Sequence, residues 1–120
     1  MKSTQNNLLI VEDNSFIREK LYNAANEIES IKNICLAKTL GEVNILSSKI
    51  TFDLIILDLK LPDGNGIEFL KTMKDVENPT KILVFSASKE LNKMCLKYGA
   101  FAFFDKAKDF DNLIETLKNI

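Results

Sequence analysis

The segment Asp53-Leu54-Ile55-Ile56-Leu57-Asp58-Leu59-Lys60-Leu61-Pro62-Asp63-Gly64-Asn65-Gly66 joins an unbroken apolar run to an acid and then to a turn. Leu54–Leu57 shows no period-two alternation. It therefore suits a strand covered on both faces, and strands of that kind belong to parallel sheets. Asp58 then stands at the carboxyl end of a buried strand. Gly64-Asn65-Gly66 makes a turn into a helix whose apolar stripe is Ile67, Leu70 and Met73. The pair Gly64 and Gly66 lacks a third glycine and does not follow the first strand, so it is a turn and not a dinucleotide fingerprint.

The same alternation extends in both directions. Short apolar runs recur at Leu8–Val11, Ile82–Phe85 and Phe101–Phe104, with a weaker run, Ile34–Ala37, expected nearer an edge. Helical periods lie between them. The first carries Ile17, Leu21, Ala24, Ala25 and Ile28, entered at Asn14 or Ser15. Thr39-Leu40-Gly41-Glu42 has capping-box spacing and opens the second, which continues through Val43 and Leu46. A fourth, beginning near Ser88, aligns Leu91, Met94, Cys95 and Tyr98 and ends at Gly99, and a fifth aligns Phe110, Leu113, Ile114 and Leu117 behind Asp109 as N-cap. Five strands alternating with five helices predict an α/β fold, an open parallel sheet wound on both faces. The flavodoxin-like order 2-1-3-4-5 is the expected one, and five strands are too few for an eightfold barrel. With no linker or repeat, residues 1–120 are expected to form a single domain.

Composition narrows the chemistry. The 120 residues hold 16 Lys plus Arg, 17 Asp plus Glu and no histidine. The net charge of −1 supplies no electrostatic reason to bind nucleic acid or anionic lipid. Without histidine, Ser-His and Cys-His hydrolysis and histidine metal sites are excluded. Cys35 and Cys95 have no CxxC spacing and read as small core residues of a reducing compartment. The polar start Met1–Asn7 lacks the apolar stretch of a signal peptide, and no apolar run approaches the roughly 20 residues of a membrane span, so a cytoplasmic location is expected.

In a sheet of this order, ligands bind beyond the carboxyl ends of the strands. Glu12 and Asp13 follow the first strand, Asp58 the third, Ser86 the fourth and Lys106 the fifth. Singly, the acids could be helix caps or solvated loop residues, Ser86 a helix-entry residue and Lys106 a surface lysine. Together they converge on one mouth. Two carboxylates about 5 Å apart repel by roughly 3 kcal/mol at an effective dielectric near 20. Three in one cleft therefore invite a hard divalent cation such as Mg²⁺, which takes oxygen ligands and keeps several waters. A carboxylate beside Mg²⁺, a hydroxyl and a lysine suits phosphoryl transfer to an aspartate, and Asp58 is the best nucleophile because its strand is central.

Four segments, Leu8–Asn14, Asp53–Gly66, Ile82–Ala87 and Gly99–Lys106, make the chain similar, over essentially its whole length, to the receiver domains of two-component response regulators, including the single-domain, chemotaxis-regulator-like type. The resemblance implies that Asp58 is the phosphoacceptor. It implies Asp13, Asp58 and the backbone carbonyl of Lys60 as Mg²⁺ ligands, with Glu12 acting largely through water. Ser86 matches the switch hydroxyl, Phe103 the coupled aromatic and Lys106 the family's lysine. Glu12 stands where Asp is common, Phe103 lacks a hydroxyl, and Ala107 stands where a proline after a cis peptide is usual. Without proline a cis bond costs about 2.5–4 kcal/mol. Either the surroundings hold that bond or the loop runs trans.

The implied function is a phosphorylation-activated switch that catalyses only its own phosphotransfer and dephosphorylation. Its implied partners are a sensor histidine kinase or histidine phosphotransfer protein upstream and a further protein downstream. The face of the fourth helix, fifth strand and fifth helix would respond, in a monomer or a weak dimer. A haloacid-dehalogenase-like phosphatase is the alternative, but it needs a second Asp where Lys60 stands. A flavodoxin-like electron carrier is disfavoured, because three acids would repel the flavin phosphate. A receiver fragment of a longer DNA-binding regulator, and a degenerate receiver that binds partners without phosphate, are the remaining readings.

Overall fold

Leu54–Leu57 is the central strand, β3, and all four of its side chains are buried. The computed structural model describes residues 6–76 and 79–120. β1 (Asn6–Val11), β2 (Ile31–Ala37), β4 (Lys81–Ser86) and β5 (Ala102–Asp105) join β3 in one sheet, ordered β2-β1-β3-β4-β5. All four pairings are parallel. The helices are α1 (Ser15–Asn26), α2 (Leu40–Ser47), α3 (Gly66–Asp75), α4 (Asn92–Lys97) and α5 (Phe110–Lys118). The expected flavodoxin-like doubly wound sheet is thus the one observed.

The absence of period-two patterning has a direct cause, since both faces of the sheet are covered. Leu9, Val11, Ile55, Leu57, Ile82 and Val84 pack on one side with Val43, Leu70 and Cys95. Leu8, Ile10, Leu54, Ile56, Leu83 and Phe85 pack on the other with Leu21, Ala25, Leu113 and Leu117. The weak run at Ile34–Ala37 begins three residues earlier, at Ile31, and lies at the sheet edge, where exposed Lys32 and Asn33 are tolerated.

Several expectations need correction. The fifth strand is shifted by one residue, to Ala102–Asp105, and Phe101 lies outside it, half exposed, with the Lys81 ammonium over its ring. The fourth helix does not begin near Ser88. That residue has φ −87° and ψ 67°, and its N–H donates to Ser86 Oγ at 3.0 Å. A 3₁₀ turn, Lys89–Leu91, precedes α4, and Met94 on α4 is 43% exposed instead of packed. Asp109 stands before α5 without a side-chain capping bond. The end of α4 is as expected: Gly99, at φ 94°, and Ala100 donate to the carbonyls of Leu96 and Cys95, a Schellman closure. Met1–Gln5, part of the polar start, lie outside the described residues. Among those described, no helix is long and apolar enough to cross a membrane.

A short antiparallel pairing, Lys60 with Asn65 and Leu61 with Gly64, closes the turn between β3 and α3. Gly66 enters α3 so close to the strand end that a Cβ there would stand 2.8 Å from the Asp58 carbonyl oxygen. Its N–H donates to the Leu59 carbonyl at 2.7 Å. No side chain fits this position without moving the backbone of Asp58.

Candidate functional site

The register brings the strand ends level. Val11 pairs with Leu57 and Leu57 with Val84, and the Asp58 N–H donates to the Val11 carbonyl at 3.0 Å. Glu12 and Asp58 therefore leave their strands side by side. Ser86 pairs with Asp105, and the Lys106 N–H donates to the Ser86 carbonyl at 3.1 Å. The five residues singled out at strand ends, Glu12, Asp13, Asp58, Ser86 and Lys106, line one cleft of about 520 Å³, together with Lys60. Phe103 does not line it; it lies partly buried against the core on the α4 side of the sheet.

Three carboxylates meet here. Glu12, Asp13 and Asp58 each offer an oxygen within 4.8 Å of the other two. Glu12 and Asp58 are buried and Asp13 is exposed. The Lys106 ammonium bridges the buried pair, 2.8 Å from Glu12 Oε1 and 3.0 Å from Asp58 Oδ2. One cation thus offsets much of the repulsion that the sequence led us to expect. Burial pushes the Glu12 carboxyl above its ordinary value, aided by the Asp58 charge and opposed by Lys106 and the Asn14 N–H. Burial acts to lower the Lys106 ammonium, but its hydrogen bonds and charge pairing with Glu12 and Asp58 outweigh that and hold it above the usual lysine range.

The surrounding bonds explain how the sequence holds these groups. Asn14 caps α1, its Oδ1 accepting from Ile17 N–H at 2.9 Å, and its own N–H donates to Glu12 Oε2 at 3.2 Å. One turn further, Arg18 donates from Nη1 to the Glu12 carbonyl at 2.8 Å. Sequence reasoning missed Arg18, although its place four residues after the cap puts it on the same helix face. It also missed Ser88 in the cleft wall. Ser86 Oγ is buried and occupied as an acceptor for Ser88 N–H. The loop after β5 contains no cis peptide, like the rest of the described chain, so of the two alternatives at Ala107 the trans one is found. Lys106 reaches both carboxylates from it.

The chain belongs to the response regulator receiver domains, whose family model spans residues 8–118. The family match agrees with a doubly wound sheet that gathers acids, a hydroxyl and a lysine at its strand ends. Receiver domains are signalling modules of two-component systems, controlled by phosphorylation. The sporulation initiation phosphotransferase F of Bacillus subtilis is 31% identical over 113 residues, covering 92% of this chain and 90% of that protein. The transcriptional regulatory protein MalR, also of Bacillus subtilis, is 28% identical over 115 residues. This chain spans only 49% of MalR's length. Among solved structures, the beryllofluoride-activated NtrC4 receiver domain dimer superimposes with a TM-score of 0.82 at 27% identity, over 94% of this chain and 93% of that one.

Proposed function

We propose that residues 1–120 act as one phosphorylation-activated switch in a phosphorelay, with Asp58 as the phosphoacceptor. The observation that carries this reading is the Lys106 ammonium set 3.0 Å from Asp58 Oδ2, in a cleft that also gathers Glu12, Asp13 and Ser86. In the step proposed, a carboxylate oxygen of Asp58 forms the bond to phosphorus. The bond from phosphorus to the donor breaks, and its electron pair leaves with a histidine imidazole nitrogen or with acetate. Lys106 is placed to neutralise charge on a phosphoryl oxygen, exchanging its carboxylate contacts for that one. Ser86 would give up its bond from Ser88 N–H and turn its hydroxyl toward the same group.

The all-oxygen donor set within 4.8 Å fits a hard divalent cation. Mg²⁺ would be held by Asp13, Asp58 and the Lys60 carbonyl, with Glu12 through water. When bound it would neutralise charge on the phosphoryl oxygens. Conversion of the Asp58 carboxylate to an acyl phosphate adds charge and acceptor oxygens. Drawn toward them, Ser86 and the loop behind it would bias the packing of Phe103, and so reshape the face of α4, β5 and α5.

These 120 residues hold no histidine, so the phosphoryl donor lies outside them, as a histidine kinase, a histidine phosphotransfer protein or a small acyl phosphate. The match to a phosphotransferase over nearly its whole length supports a relay role with a downstream partner protein. The half-length match to a transcriptional regulator supports a second reading, in which a DNA-binding segment reads the switch. The test is labelling by acetyl phosphate with Mg²⁺. Asp58→Asn abolishes it, and undiminished labelling of that variant removes Asp58 from the role.

A further inference from the structure

The loop Asp105-Lys106-Ala107-Lys108-Asp109 carries the lysine of the site, and every backbone N–H in it has a defined acceptor. The Lys106 N–H donates to the Ser86 carbonyl, and those of Lys108 and Asp109 donate to the Asp105 carbonyl at 3.2 and 2.9 Å. The other two go to carboxylates. Asp105 N–H donates to Asp109 Oδ2 at 2.9 Å, and Ala107 N–H donates to Asp105 Oδ1 at 2.8 Å. A proline at 107 would have no N–H to offer. Asp109 directs its Oδ2 to Asp105 N–H and forgoes the capping bond that this residue type usually makes at the start of a helix.

We propose that Asp105 and Asp109 are positioning residues for Lys106. Their carboxylates grip the backbone on both sides of that lysine and fix the point from which its ammonium reaches Asp58 and Glu12. Neither carboxylate is an ion-pair partner of the Lys106 ammonium, whose partners are Glu12 and Asp58. Their action is therefore through the backbone. The ammonium meets Glu12 and Asp58 at once, and a displaced Cα forces the flexible four-carbon stem into another rotamer to keep both contacts. A misplacement of about 1 Å near the reacting groups can slow a reaction by about a hundredfold. The inference rests on the roles proposed above for Asp58 and Lys106.

The test measures the rate of Asp58 loading by acetyl phosphate at saturating Mg²⁺, with the melting temperature of each variant alongside. Asp105→Ala and Asp109→Ala are expected to slow loading by about ten- to a hundredfold. Asp105→Asn retains an oxygen acceptor for Ala107 N–H and rescues most of the rate. In a Lys106→Met background, Asp105→Ala gives no further slowing, which a merely structural loss would not produce. If Asp105→Ala fails to fold, Asp109→Ala carries the same comparison from the other side of the lysine. The proposal is overturned if the alanine variants load at the wild-type rate, or if the Asp105→Ala factor persists without the Lys106 amine. Lys106→Met loading at the wild-type rate would overturn the role of Lys106 itself, a separate and recognisable failure.

Discussion

Glu12 is the residue at which the electrostatics of the site are most exposed to measurement. It is 1% exposed, shares Lys106 with Asp58, and has its carboxyl raised above 4.5 by burial. A folded state that holds a proton more tightly than the unfolded chain gains stability as the proton binds. That contribution is complete below pH 4.5 and is lost as pH rises through the folded value. Asp63 has the opposite sign. The N–H groups of Leu40 and Gly41, donating at 2.9 and 3.0 Å, hold its carboxyl below 3.8, so its contribution is lost only as pH falls through that lower value. The two windows do not overlap. The metal-free melting temperature should therefore decline from pH 4.5 toward neutrality by a component that Glu12→Gln removes. An unchanged slope in that variant would show that Glu12 binds its proton no differently in the two states. The acids, the hydroxyl and the lysine were legible in the sequence because each lies within two residues of the end of an apolar run. The bonds from Arg18 to the Glu12 carbonyl and from Ala107 to Asp105 were not, because they depend on backbone directions within loops.

Turns, more than helices or strands, decide how these side chains are presented. Gly66 is the clearest case. An added Cβ would meet the Asp58 carbonyl oxygen at 2.8 Å and Leu57 side-chain atoms at 3.2 and 3.3 Å. Both neighbours are buried, and the first is backbone, so relief requires α3 to move away from the end of β3. Gly66→Ala should cost about 1–3 kcal/mol, as overpacking of a filled site usually does, despite the better helix propensity of alanine. Chemical denaturation checks this, and a neutral or stabilising result would mean that the strand end yields easily. The strands and the order of the sheet were readable because both-face burial leaves unbroken Ile, Leu and Val runs. The start of α4 was not readable. Apolar spacing from Leu91 to Tyr98 suggested a helix from Ser88, but the Ser86 hydroxyl takes the Ser88 N–H and leaves that residue outside the helical region. A side-chain acceptor two residues away outcompeted helix initiation, which periodicity does not report.

At the scale of the molecule, the site and the stability of the fold draw on the same charges. The radius of gyration is 13.2 Å, near the roughly 14 Å expected for a domain of this length, and two buried carboxylates lie at the rim of its core. Lys106 brings a single positive charge against those two and the exposed Asp13, which leaves an excess of negative charge for a cation to neutralise. A cation bound only by the folded chain stabilises it by about 2.7 kcal/mol at a hundred times its dissociation constant. For a domain of this size that corresponds to a rise in melting temperature of roughly 8–15 °C. Asp13→Asn should act in two directions. Without metal it removes one of three clustered negative charges and raises the melting temperature slightly. With Mg²⁺ it removes a proposed ligand, and most of the metal-dependent rise disappears. Thermal melts in chelator and in excess Mg²⁺ distinguish these effects. An equal Mg²⁺ shift in both proteins would place the cation elsewhere, and a lower metal-free melting temperature in the variant would mean that Asp13 is held by an attraction stronger than the repulsion of its two acidic neighbours.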